Sequence, residues 1–206
     1  MFKSEMKLVN LVIERCNATT NNSQSQCDIP SSRSQWAKLE WQQAQKTIGL
    51  LLNLYGFMKF EEYNLGDGKR ADLLVWRTSS GQITIGLIEV KTYQKISPSI
   101  EAKALQQVLT YFKIFAEEIK ASNQWNSKTI RFFVCVIFTK DYPSLPSKLT
   151  KHHLGSNFTE ERLHKDNIDV FVCTPERFIL ELVSRSLVHP SQQDLKKYFD
   201  STLISQ

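Results

Sequence analysis

Hydrophobic and polar positions along the chain change period several times, and each change marks an element. Phe2, Met6, Val9 and Ile13 recur at helical spacing and predict a short docking helix over 2–14. Asn17–Gln35 is Ser/Asn/Gln-rich and nearly free of large aliphatics, so it cannot bury enough surface to offset ordering entropy and reads as a linker. From Trp36 to Tyr55, the residues Trp36, Leu39, Ala44, Ile48, Leu51, Leu52 and Tyr55 fall near one stripe, a helix stopped by Gly56. Three strand-like runs follow: Phe57–Leu65, closing on Gly66-Asp67-Gly68; Arg70–Thr78, closing on Ser79-Ser80-Gly81; and Gln82–Thr92. Ser97-Pro98-Ser99 then opens a long helix, Ile100–Ser122, striped by Leu105, Val108, Leu109, Phe112, Phe115 and Ile119. Ile130–Thr139 is apolar on both faces, as a covered central strand must be. Pro143 and Pro146 interrupt the next stretch, which has room for one short helix at most. Ile168–Cys173 is a last strand, and Thr174-Pro175 caps a helix running to about Val188.

Short turns between the first three strands make an antiparallel meander, whereas the long helix before the fourth strand implies a right-handed crossover to a parallel neighbour. The expected fold is α/β, a mixed central sheet flanked by helices. Residues 1–35 form an N-terminal helix and polar linker; residues 36–206 form a single domain, with its core over 36–140 and a C-terminal strand and helix over 168–190. The chain's 206 residues, 41% hydrophobic with 7 Gly and 6 Pro, exclude collagenous and wholly disordered classes. No stretch is apolar enough for a membrane span, and the charges within Met1–Cys16 exclude a signal peptide. The four cysteines form no CxxC pair, and Cys135 and Cys173 sit in apolar strands as small hydrophobes, so a reducing, cytoplasmic setting is expected. Residues 1–140 carry 18 Lys and Arg against 12 Asp and Glu, a basic excess that suits a polyanionic partner.

The third strand carries the chemistry. Ile83, Ile85, Leu87, Glu89 and Lys91 share one face, and the other face is mostly apolar, so an acid and an amine project side by side where burial is expected. Dehydrating ionised groups costs several kcal/mol unless a partner or metal compensates. Asp72 lies in the preceding strand, and a hairpin turning at Ser79–Gly81 brings it roughly opposite Glu89, with Cβ atoms about 4.5–5.5 Å apart. Two carboxylates that close repel unless a cation lies between them. A hard divalent ion satisfies them, and Mg²⁺ takes one or two carboxylates with water completing its shell.

Asp72, sixteen intervening residues, then Glu89-Val90-Lys91 resembles the PD-(D/E)xK nuclease signature, with Ala71 where that family often has Pro. Gln107 and Tyr111 form a Q-x-x-x-Y element, similar to that of RecB-type nucleases and of the nuclease domains of type I restriction subunits. They stand i, i+4 on one helix face. Glu40 matches an acidic residue that many members place beside the metal. The resemblance spans about Trp36–Thr139 and implies a restriction-endonuclease-like core and a metal-dependent nuclease acting on DNA. It further implies Mg²⁺ or Mn²⁺ held by Asp72, Glu89, the Val90 carbonyl and Glu40, and an attacking water oriented by Lys91, with Gln107 and Tyr111 completing the catalytic set. Lys69, Arg70, Lys95 and Lys103 flank the site in sequence and would track the nucleic-acid backbone. Cutting two strands with one site per chain implies a homodimer, and a partner ATPase or specificity protein is compatible with the same signature.

An E-x-K triplet alone also arises as an ion pair on a half-exposed strand, Glu40 as a solvent-facing helix residue, and Tyr111 as core. Asp67 belongs to a turn before it belongs to a metal site. The alternative functions are a catalytically silent nucleic-acid-binding module and a mobile-element accessory protein of the same fold. His152, His153, His164 and His189 lack metal-site spacing.

Overall fold

The computed structural model describes residues 29–30, 33–79, 81–121, 130–140 and 168–188. Two helices, α1 (Arg33–Lys38) and α2 (Trp41–Leu54), precede the strands β1 (Met58–Gly66), β2 (Lys69–Ser79) and β3 (Gln82–Lys91). Helix α3 (Pro98–Ala121), strands β4 (Ile130–Phe138) and β5 (Ile168–Cys173), and helix α4 (Pro175–Ser184) complete the described chain. One five-stranded sheet runs in the order β1-β2-β3-β4-β5. The first three strands are antiparallel neighbours, and β3, β4 and β5 are parallel. This is the expected α/β architecture, a mixed sheet flanked by helices.

Alternation along the strands divides the core into two layers. Ile83, Ile85 and Leu87 of β3 join Phe132, Val134 and Val136 of β4 on one face, under Leu105, Val108, Leu109 and Phe112 of α3. Ile88 and Val90 lie on the other face with Cys135, Ile137 and Cys173, under Ala44, Ile48 and Leu52 of α2 and Phe178 and Leu182 of α4. β3 is therefore covered on both faces, with every residue from Ile83 to Val90 buried. Such a strand must bring any charged side chain it carries into the layer between sheet and helix.

Three sequence expectations change. The helix expected over Trp36–Tyr55 is two helices, because Glu40 is the N-cap of α2 and forms a capping box with Gln43, whose Oε1 accepts the Glu40 N–H at 3.3 Å. The expected linker reaches one turn too far, since Arg33 to Gln35 already belong to α1. The last helix ends at Ser184, not near Val188. Ser97 does cap α3, its Oγ accepting the Ile100 N–H at 3.3 Å. The helix expected over 2–14, the stretch between Pro143 and Asp166, Cys16, Cys27 and all four histidines lie outside the described residues. No helix among the described residues is long and apolar enough to cross a membrane.

Candidate active site

Asp72 stands where the sheet's pairing is interrupted on both sides. The β2–β3 ladder begins at Leu73↔Ile88, one step short of Asp72 and Glu89. The β1–β2 ladder passes from Glu61↔Leu73 to Tyr63↔Ala71, so Glu62 faces Asp72 outside the regular pairs, with a left-handed φ of 55°. A non-glycine residue in that region is uncommon and marks a local break in the strand. At this break, side chains replace the ladder. Asp72 Oδ2 accepts the Val90 N–H at 2.7 Å, and the Asp72 N–H in turn faces the Glu89 carboxylate. The hairpin closes through its carboxylates.

Alternation puts Glu89 and Lys91 on the face covered by α3, where they meet the polar residues of that helix. Lys91 Nζ donates to Glu89 Oε2 at 2.8 Å and to Gln107 Oε1 at 3.1 Å. Gln107 Nε2 donates to Tyr111 Oη at 2.9 Å and more weakly to Glu89 Oε2 at 3.4 Å. The i, i+4 spacing of Gln107 and Tyr111 thus turns one helix face into a relay that fixes both members of the acid–amine pair. Glu89 is 1% exposed and Asp72 8%, so neither charge is relieved by bulk water.

The electrostatics follow from that burial. Desolvation pushes the Glu89 carboxyl up to about 7, and the Asp72 charge pushes the same way against the stabilising Lys91 ammonium. Asp72 is also raised, first by burial, although its bond from Val90, the Lys91 charge and a side-chain hydrogen bond from Trp41 oppose this. Burial works against the charge of Lys91 too, but the charge and hydrogen bond of Glu89, with Asp72 and Tyr93, outweigh it and hold the amine above its ordinary value. One atom is left over: Glu89 Oε1 is buried without a hydrogen-bond partner. An orphaned carboxylate oxygen beside a second carboxylate is what a hard cation would satisfy, so the donor set fits a divalent ion. Among the described residues, no group of three or more His, Cys, Asp or Glu side chains is placed to hold one.

The remaining expected residues are placed less centrally. Glu40 is exposed and occupied as the cap of α2, directly before Trp41, whose indole bonds the Asp72 carboxylate. Val90 contributes its N–H to Asp72. Arg70 is exposed and pairs with Glu62 at 3.6 Å, Lys69 is half-buried, and Lys95 and Lys103 are exposed. Four participants were not expected from the sequence. Trp41 and Gln45 reach Asp72 from α2; Glu62 adds a negative charge beside it; Tyr93, 47% exposed, borders Lys91 from the loop after β3. A signal existed for Gln45. Trp41, Gln45, Ile48 and Leu52 share helical spacing, so a glutamine occupied a position in the apolar stripe.

Fold and site together define a mixed α/β domain with a buried carboxylate–amine cluster at the open end of its central hairpin. No family model matches the chain, and no curated protein matches it. A solved structure of the restriction endonuclease FokI is similar, at 12% identity and a TM-score of 0.45, over 82% of this chain and 29% of that one. The chain thus spans less than a third of the length of that protein.

Proposed function

We propose that this chain is a metal-dependent nuclease that hydrolyses phosphodiester bonds in DNA, an endonuclease in preference to an exonuclease. The observation that carries the reading is the orphaned Glu89 Oε1, buried beside Asp72 within a network that leaves a pair of acids short of one positive charge. Asp72 and Glu89 would hold Mg²⁺ or Mn²⁺, with the Val90 carbonyl and water filling further positions, while Glu40, taken up in capping α2, is not grouped with them. When bound, the ion supplies polarisation of the scissile phosphate and lowers the pKa of water. Lys91, fixed by Glu89 and Gln107, would hold and orient the attacking water and steady charge developing on the phosphate. Gln107 fixes Lys91 and Glu89 at once, and Tyr111 fixes Gln107, which supports the likeness to RecB-type nucleases in their Q-x-x-x-Y element. Lys69, Arg70, Lys95 and Lys103 would follow the DNA backbone.

The test is incubation with closed circular, linear, single-stranded and branched DNA in Mg²⁺, Mn²⁺ or chelator. Cleavage should require the cation, be lost in Glu89→Ala, and fall by about 10²–10³-fold in Lys91→Ala, as for removal of one donor to developing charge. Nicking of the closed circle would establish the endonuclease mode. DNA binding that ignores the cation and survives both substitutions without cleavage would instead favour the catalytically silent module.

A further inference from the structure

Backbone accounting at Asp72 leads beyond the acids themselves. A residue inside a sheet normally satisfies its carbonyl and N–H in the ladders, and buried backbone groups are almost always paired. Asp72 has no ladder pair on either side. Its carbonyl is satisfied from another element: Gln45 Nε2 donates to it at 2.6 Å across 27 residues of chain. Gln45 is 3% exposed, a costly place for an amide unless its hydrogen bond matters. Four residues earlier on the same face of α2, Trp41 gives its indole N–H to the Asp72 carboxylate. One helix therefore grips both the main chain and the side chain of the residue that the sheet releases. Trp41 and the Val90 N–H together occupy two of the about four acceptor sites of the carboxylate and leave the others for a cation.

We infer that Trp41 and Gln45 are positioning residues, a two-point clamp that sets the orientation of Asp72 toward a divalent cation shared with Glu89. The inference rests on the cation-binding part of the reading above. Neither residue touches substrate or cation; each acts through Asp72. Outer-shell partners of this kind are worth about 10–100-fold in metal affinity.

Two variants separate positioning from folding. Trp41→Phe keeps a large ring and removes only the N–H, and Gln45→Met keeps the length and removes the donor. Mn²⁺ binding to the full chain is measured by calorimetry, without DNA, well below each variant's melting temperature. DNA cleavage is then followed as a function of Mn²⁺ and of DNA. The dissociation constant for Mn²⁺ should rise about 10–100-fold in each variant, with KM for DNA unchanged and lost turnover recovered by raising Mn²⁺. Unchanged Mn²⁺ affinity in folded Trp41→Phe overturns the clamp, whatever Gln45→Met does to folding. A parent chain that binds Mn²⁺ but cleaves no DNA removes the nuclease reading and leaves the clamp standing. A parent that binds no Mn²⁺ overturns both.

Discussion

In the proposed cation site Glu89 would have to be ionised, yet its surroundings favour the neutral acid. Its carboxyl ionises near pH 7 in the folded chain and at its ordinary value of 4.5 in the unfolded one. Between those values the folded state holds the extra proton, so without a divalent cation stability declines as pH rises from about 4.5 through about 7 and is lowest above it. A shift of that size corresponds to about 3 kcal/mol at most. Added Mg²⁺ or Mn²⁺ should raise the melting temperature much more at pH 8 than at pH 5.5, because protons compete with the cation for Glu89. Thermal melts across pH, with cation or chelator, check this, and Glu89→Gln should lose both the pH slope of this group and the cation effect. Asp72, Glu89 and Lys91 were legible in the sequence because period-2 alternation exposes a charge on a strand whose two faces are otherwise apolar. Trp41 was not, since its partner lies far along the chain; for Gln45 the apolar stripe marks a buried glutamine but not the group it meets.

Elements carry a second kind of constraint. Gly86 sits in mid-strand on β3, and a Cβ there would run into the ring of Phe133 on β4, which fills the space a side chain would take. Phe133 is fully buried and packs edge-on to Phe57, so it has little room to retreat. Gly86→Ala should cost about 1–3 kcal/mol through overpacking, read as a lower midpoint in urea, and Phe133→Leu in the same chain should return part of it. Strand identities were readable here because β-branched and aromatic runs are bounded by glycine turns; the order of the meander followed from the turn lengths. The break between α1 and α2 is not visible in the apolar stripe, which runs through it, and only the capping pair Glu40 and Gln43 marks it.

At the scale of the molecule, the mixed topology was legible from one fact, a long amphipathic helix between two apolar strands. β3, β4 and β5 consequently end on the same side, and the described site lies at that end, beside α3. At the other end of β4 and β5, Arg131 pairs with Asp169 at 2.9 Å, and Arg185 approaches the same carboxylate at 3.9 Å while lying over the Phe171 ring. Asp169→Ala should therefore destabilise the chain without altering Mn²⁺ affinity; equal loss of both would show that the two ends are coupled. Sequence patterning gave no comparable hold on the connection between β4 and β5, where prolines interrupt both periods.

The two thiols between β4 and β5 offer a way to time the opening of this sheet. Cys135 and Cys173 are wholly buried and free, their sulfurs 3.8 Å apart, so neither is within reach of a reagent, and burial pushes the Cys135 thiol well up. In a chain with Cys16 and Cys27 changed to Ser, alkylation by iodoacetamide must await separation of the inner strands, and its rate then counts global unfolding events. A cation gripped at the hairpin would slow that clock at a distance, with no contact to either sulfur, because both events draw on the same cooperative opening.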